Sequence, residues 1–263
     1  MLYAKVKVMN RNIQINGIIL KAGVTGDIHK NLWILTPGRG IIKATAFGAV
    51  KGKLRAVTNP FTSGKFYFYY NPTKDQYKLT DVGSARGAEP LLKNLTAYYT
   101  ASLCAEVILK SYAAGLSGGE LFALVKDAFS LLQSNEHDRL HEDNVMYVLI
   151  HFIWRFLCIS GLRPDPYECM ACGKKIADNE TVYYSCIESG FLCNVCSPDE
   201  DNPLMPGARR FIIKSENLSL RDATRIKLDE TALQQLKKTM LTVIQEAMET
   251  PLNTLKTGKG ILI

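Results

Sequence analysis

The spacing of apolar and polar positions changes period partway along the chain. Over roughly the first eighty residues it repeats every second position. Val6 and Val8 alternate with Lys5 and Lys7, and Ile13 and Ile15 with Gln14 and Asn16. Short apolar runs follow at 17–20, 32–35, 41–47, 65–70 and 77–82. Turn formers separate them: residues 23–27, Pro37-Gly38-Arg39-Gly40, Asn59-Pro60, Asn71-Pro72 and Lys74-Asp75. Five or six short strands are therefore predicted. That many strands in so short a segment suit a small closed barrel, and an OB-fold is the economical form.

From Pro90 onward the period is helical. Leu91, Leu92, Leu95, Tyr98, Tyr99, Leu103, Val107 and Ile108 make one apolar stripe. Leu121, Phe122, Leu124, Val125, Phe129 and Leu132 make a second, after the break at residues 115–119. Residues 145–162 are apolar nearly all round, which predicts a central helix enclosed by the others. Their number is near the minimum for a membrane span, but His151 and Arg155 interrupt the middle, where charge is costly in lipid. A buried core helix is expected. Pro164 and Pro166 end it, and Asp229 is predicted to cap a last helix with Leu233, Leu236, Met240, Val243, Ile244 and Ala247 on its core face. The predicted class is α+β. A barrel spans 1–82, a helical bundle spans 83–168 and 201–263, and a cysteine module at 169–200 is inserted between the bundle's parts.

That module carries the sharpest chemical signal. Cys169-Met-Ala-Cys172 and Cys193-Asn-Val-Cys196 are two CxxC pairs with twenty residues between them. Each CxxC turn lets two thiolates grip one ion, and two such knuckles complete a tetrahedral sulfur shell that suits Zn²⁺. Gly173 lets the backbone close around the first knuckle. Residues 182–184 and 190–192 are apolar pieces that predict a hairpin carrying the second. One structural Zn²⁺ per chain is expected, with no open position for a reacting water. Cys186 has no CxxC partner and reads as a bystander, while Cys104 and Cys158 fall in apolar helical patterns as small core residues. Seven cysteines with four in metal spacing point to a reducing cytoplasm, and the N-terminal residues lack the apolar run of an export signal.

Charge changes the picture of the barrel. Residues 1–80 hold 13 Lys and Arg against 2 Asp and Glu, whereas the remaining 183 hold 19 against 23. A segment so lopsided repels itself unless a polyanion is its partner, and nucleic acid is the leading candidate. OB-folds bind single strands in a basic groove with aromatic rings as stacking platforms. Lys30, Arg39, Lys43, Lys51, Lys53 and Arg55 are the expected phosphate contacts, with Arg209 and Arg210 as a second patch. Trp33, Phe47, Phe66, Tyr67, Phe68, Tyr69 and Tyr70 supply rings, about half of which alternation must bury.

Catalytic patterns are not found. His137 and His141 lack the glutamate that a zinc protease places beside its first histidine and read as a polar connection. His151 reads as a core histidine. Gly38-Arg39-Gly40 is too short for a phosphate loop, and Ser117-Gly118-Gly119 precedes a helix rather than joining strand to helix. The carboxylates are scattered or lie in the loop Asp199-Glu200-Asp201, where a nuclease would cluster them. The expectation is a binding protein rather than an enzyme. A zinc-ribbon protein acting in transcription or on RNA, and an enzyme with dispersed carboxylates, remain as alternatives.

Local strings narrow the field. Gly17-Ile18-Ile19-Leu20-Lys21 resembles the opening strand of the bacterial DNA repair protein RecO family. Thr36-Pro37-Gly38-Arg39-Gly40 is similar to that family's Thr…Gly turn, and Asn59-Pro60-Phe61 to its Gln-Pro-Phe element. Residues 156–164 resemble its Leu-Leu…Gly-x-x-Pro segment, which leads into Cys-x-x-Cys-Gly, here 169–173. The resemblance covers essentially the whole chain. It implies a recombination mediator that binds single- and double-stranded DNA and anneals complementary strands. It also implies work with RecR and the tail of single-strand-binding protein (SSB) to help load RecA at gaps. A cytoplasmic, nucleoid-associated protein follows, with no membrane and no small-molecule substrate.

Overall fold

In the computed structural model, which describes residues 11–111, 118–134, 142–197 and 202–262, the period-two segment becomes five strands. These are β1 (Asn12–Thr25), β2 (His29–Thr36), β3 (Gly40–Ala46), β4 (Ser63–Asn71) and β5 (Gln76–Arg86). They close as a barrel in the order β1-β2-β3-β5-β4, an OB-fold. The runs at 13–16 and 17–20 are one strand, not two, and its length is what closes the barrel. The first half of β1 pairs with β4, from Asn12 opposite Tyr69 to Ile18 opposite Ser63. Its second half pairs with β2 after a register slip between Ile19 and Lys21. A bulge of this kind bends a strand and increases its twist. Gly17 sits at the crowded crossing, where a β-carbon would lie 2.5 Å from Ile34 Cγ2.

Parity sorts the rings of β4. Phe66 and Phe68 are buried with Ile19, Leu32, Ile34 and Leu79 in the barrel core, while Tyr67 between them faces out. Each apolar side chain so buried contributes about 1.5–3 kcal/mol against the unfolded chain. β5 continues past the expected boundary at 82 to Arg86, and the chain divides into compact units at Met1–Ala88 and Glu89–Ile263.

The second unit begins with a departure from the predicted stripe. Leu91–Lys93 is a 3₁₀ turn, and Asn94 then caps α1 (Leu95–Lys110) by accepting from the Ala97 amide at 2.9 Å. Leu91 is buried, whereas Leu92 and Leu95 are exposed, because the cap rotates the helix relative to the residues before it. α2 (Gly118–Leu132) carries the second stripe as expected. α3 (Glu142–Ser160) is buried nearly all round and packs against α1 and α2. Three later helices also pack on it: α4 (Pro206–Ser215), α5 (Leu220–Ala223) and α6 (Glu230–Ala247). α6 starts at the predicted cap, with Asp229 accepting from the Ala232 amide at 2.8 Å. α7 (Asn253–Thr257) follows. α4 was not foreseen, although Pro206 at its first position is a helix-start signal.

No described helix is long and apolar enough to cross a membrane. The alternation at Lys5–Val8, His137, His141, Ser117 and the loop Asp199-Glu200-Asp201 lie outside the described residues.

Candidate metal centre and nucleic-acid interface

β6 (Val182–Ser185) and β7 (Gly190–Cys193) form the hairpin predicted between the knuckles, with Val182 opposite Cys193. β8 (Pro203–Leu204) pairs with the other edge of β6. The first knuckle is held by backbone bonds. The Cys169 amide donates to the Lys174 carbonyl at 2.8 Å, and the Met170 amide to the Phe191 carbonyl at 2.8 Å. Gly173 closes the turn at φ +69°, donating to the Cys169 carbonyl at 2.8 Å. The left-handed angle is what the absent β-carbon permits.

These bonds bring Cys169, Cys172, Cys193 and Cys196 together, every Sγ within 4.8 Å of the other three. Four sulfurs at about 2.3 Å from one tetrahedral ion would stand about 3.8 Å apart, so the set fits a single metal with small adjustment. Cys172 and Cys193 are 4.0 Å apart at Sγ, far beyond a disulfide bond. Cys169 is buried, which works to raise its pKa. The backbone amides of Cys193, Cys172 and Ala171 outweigh that and draw the thiol down to about 6. Cys196 is pushed the other way by its bonds to Cys172 and Cys193. Four thiolates in this space require a cation, and the donor set is the one that zinc favours. By contrast, burial pushes the Cys104 thiol up. Burial, then Glu216, takes Cys158 to about 11. Cys104 is the core residue the sequence predicts, whereas Cys158 is only half-buried near the end of α3. Cys186 stands outside the four-sulfur group. His151 is also a core residue, kept neutral by burial and by Arg155, which lower its pKa to about 4.

The hairpin docks on α6 through Glu246. Its carboxylate accepts from Tyr184 Oη at 2.8 Å and from Ser189 Oγ at 2.6 Å. The approach to the module is held by Arg209, and here the sequence expectation is corrected. Arg209 is 1% exposed and is not part of a surface patch. It donates to the Pro166 carbonyl at 3.0 Å, to that of Ile176 at 3.4 Å and to that of Ala177. Arg210, one residue along α4, is exposed. Arg209→Met should therefore orphan carbonyls on both sides of Cys169. Each buried unpaired group costs about 1–3 kcal/mol. The expected result is a fall in the thermal unfolding midpoint and faster release of metal to a chelator, with DNA affinity unchanged. Arg210→Met should do none of this.

The barrel sorts the other predicted contacts. Arg39, Lys43, Lys51, Lys53 and Arg55 are exposed. Lys30 differs. Its ammonium points at the Asn59 side-chain oxygen (3.1 Å) and the carbonyls of Thr58 (3.4 Å) and Arg55 (3.5 Å), tying β2 to the loop before β4. Burial, followed by Arg55, lowers its pKa.

Lys43 stands opposite Trp33 in the β2–β3 ladder, on the edge of a cleft of about 380 Å³. Phe47, Tyr77 and Lys78 line the same cleft, and Arg39 donates to Tyr77 Oη at 3.1 Å. Lys78 was missed because it arrives from β5, the parallel neighbour of β3, far along the chain. A second groove, in the helical unit, is lined by Leu241, Leu252 and Leu255 and by Lys237, Lys238, Lys256, Lys259 and Glu246.

Comparison with known proteins agrees with this architecture. The family model described as recombination protein O N terminal matches residues 9–87, and that described as recombination protein O C terminal matches residues 92–256. The DNA repair protein RecO of Acetivibrio thermocellus is 24% identical over 254 residues, 93% of this chain and 96% of that protein. The DNA repair protein RecO of Bacillus subtilis is 25% identical over 234 residues, 81% of this chain and 84% of its own length. The match to the DNA repair protein RecO of a Synechococcus strain is 23% identical, over 70% of this chain and 62% of that relative. With both halves matched in order, on a barrel followed by a helical unit that holds four clustered cysteines, the chain belongs to the RecO family of DNA repair and recombination proteins.

Proposed function

We propose that this protein is a recombination mediator. In this reading it binds single- and double-stranded DNA through the barrel, anneals complementary strands and acts with RecR to help load RecA onto strands coated by SSB. The observation that carries the reading is the excess of 13 basic over 2 acidic residues in the barrel segment, on an OB-fold with lysines and rings on its outer face. Lysine and arginine at Arg39, Lys43, Lys51, Lys53 and Arg55 neutralise phosphates and release counterions, giving affinity without sequence preference. Screening two strands at once lowers their mutual repulsion and favours pairing. That mechanism needs no hydrolysis and no reacting metal, which is why a mediator is proposed rather than an enzyme. The cysteine module holds one structural Zn²⁺. The groove on α6 and α7 combines apolar walls with four lysines, which suits a partner segment carrying carboxylates beside apolar side chains. The SSB tail is the partner assigned to it.

The test is annealing of complementary strands with neither nucleotide nor divalent metal, run across a salt series. The protein should accelerate pairing at low salt and lose the effect steeply as salt rises. Acceleration that depends on Mg²⁺ or a nucleotide would point to turnover and remove the mediator reading.

A further inference from the structure

The cleft on the outer face of β2, β3 and β5 has features that phosphate neutralisation does not use. At about 380 Å³ it is at the small end of ligand sites, large enough for one nucleotide unit and too small for a duplex. Three rings line it, those of Trp33, Phe47 and Tyr77, the last held by Arg39. Phe47 is 50% exposed at the end of β3, and Trp33 is half-buried in β2. An exposed phenylalanine gives a barrel nothing by way of core. Phe47 and Trp33 each have a lysine over the ring: Lys78 Nζ lies 5.5 Å from the Phe47 centroid, and Lys21 Nζ 5.2 Å from the Trp33 centroid. Thr45, also in the lining, is fixed by a 3.2 Å bond to the Asn31 side chain. At the far side Asp75 accepts from Tyr70 Oη at 2.9 Å. A carboxylate there repels a phosphate but accepts from the N–H groups of a base edge.

Resting on the reading that the barrel binds DNA, we propose that this cleft is a subsite for one unstacked nucleobase. The base lies against the Trp33 and Phe47 rings, its edge faces Asp75, and its flanking phosphates meet Lys43 and Lys78. Every base has a π-face, so such a subsite is tolerant of sequence. A duplex keeps its base faces inside the stack and has none to offer. The subsite therefore gives the barrel a preference for single strands that lysines alone do not supply.

The chain itself contains the probe. Of its two tryptophans, Trp154 is 0% exposed, so quenching by added DNA reports on Trp33. The full-length protein is titrated with an oligothymidylate of about 12 nucleotides, within the span of one OB-fold, and separately with a blunt duplex. The single strand should quench tryptophan emission and the duplex should not, and Trp33→Phe should remove the quench. Phe47→Ala should weaken single-strand binding about tenfold, the weight of one stacked base, and leave duplex binding within about twofold. Phe47→Trp should restore it. Binding of both DNAs without quenching, or equal loss for both in Phe47→Ala, would overturn the subsite and leave the DNA-binding barrel standing. Failure of the unmodified protein to bind either DNA would overturn both.

Discussion

Reversing charge at Arg39 and Lys43 together, as Arg39→Glu and Lys43→Glu, should lower single-strand affinity on the order of 100-fold at low salt. Both side chains are exposed, and neither is part of the barrel core. Among the described residues the side-chain bond at risk is that from Arg39 to Tyr77 Oη, an exposed contact of small weight. The fold should survive, with unchanged circular dichroism and an unfolding midpoint within a few degrees. The salt dependence carries the decisive sign. Each phosphate contact on a single strand contributes about −0.7 to the slope of log affinity against log salt. Removing two should make the slope shallower by about 1.4, and the gap between variant and parent should narrow as salt rises. Unchanged affinity at moderate salt would move the DNA interface off this face of the barrel. Lys30→Ala is the contrasting change. Its ammonium serves the Asn59, Thr58 and Arg55 oxygens, so stability should fall while the salt slope stays close to that of the parent.

The contrast between Lys30 and Lys43 also shows where the sequence stopped being informative. Strand parity was legible: the order Phe66, Tyr67, Phe68 already states which rings face the core, and the structure buries the two phenylalanines and turns Tyr67 outward. The four cysteines were legible because CxxC spacing is local geometry. A lysine's task is not local. Lys30 and Lys43 look alike in sequence, and only the path of residues 51–62 decides that one faces carbonyl oxygens and the other water. Arg209 and Arg210 make the point more sharply. Adjacent residues on a helix point about 100° apart, so a basic pair cannot be one patch once the segment is helical. Recognising α4 from Pro206 would have separated them. Lys78 was out of reach for a different reason. It enters the cleft through the parallel pairing of β3 with β5, and the register of non-neighbouring strands is not written in either strand alone.

Removal of the metal is the second large effect. Cys169 and Cys193 are each 1% exposed, and the apolar cluster around the knuckles consists of little more than these two, Leu192 and part of Cys196, while Val182, Tyr184 and Phe191 are buried in the hairpin. So small a cluster cannot hold the two knuckles together without the ion. Zinc supplies roughly 10–16 kcal/mol to small cysteine-bound modules at neutral pH, and that binding energy is folding energy. Purified protein should contain one zinc per chain by elemental analysis. Cys169→Ala, or a strong chelator, should abolish the metal, collapse amide exchange protection across the β6–β7 hairpin and lower the unfolding midpoint of the helical unit. Cys186→Ala should do none of these, because its sulfur lies outside the four-sulfur group. Metal-free protein with full exchange protection would refute the site. The barrel provides the internal control: its core is built from Ile19, Leu32, Ile34, Phe66, Phe68 and Leu79, without a cysteine. The metal-free protein should therefore keep its affinity for single-stranded DNA, and the salt slope of that affinity, even as its helical unit melts.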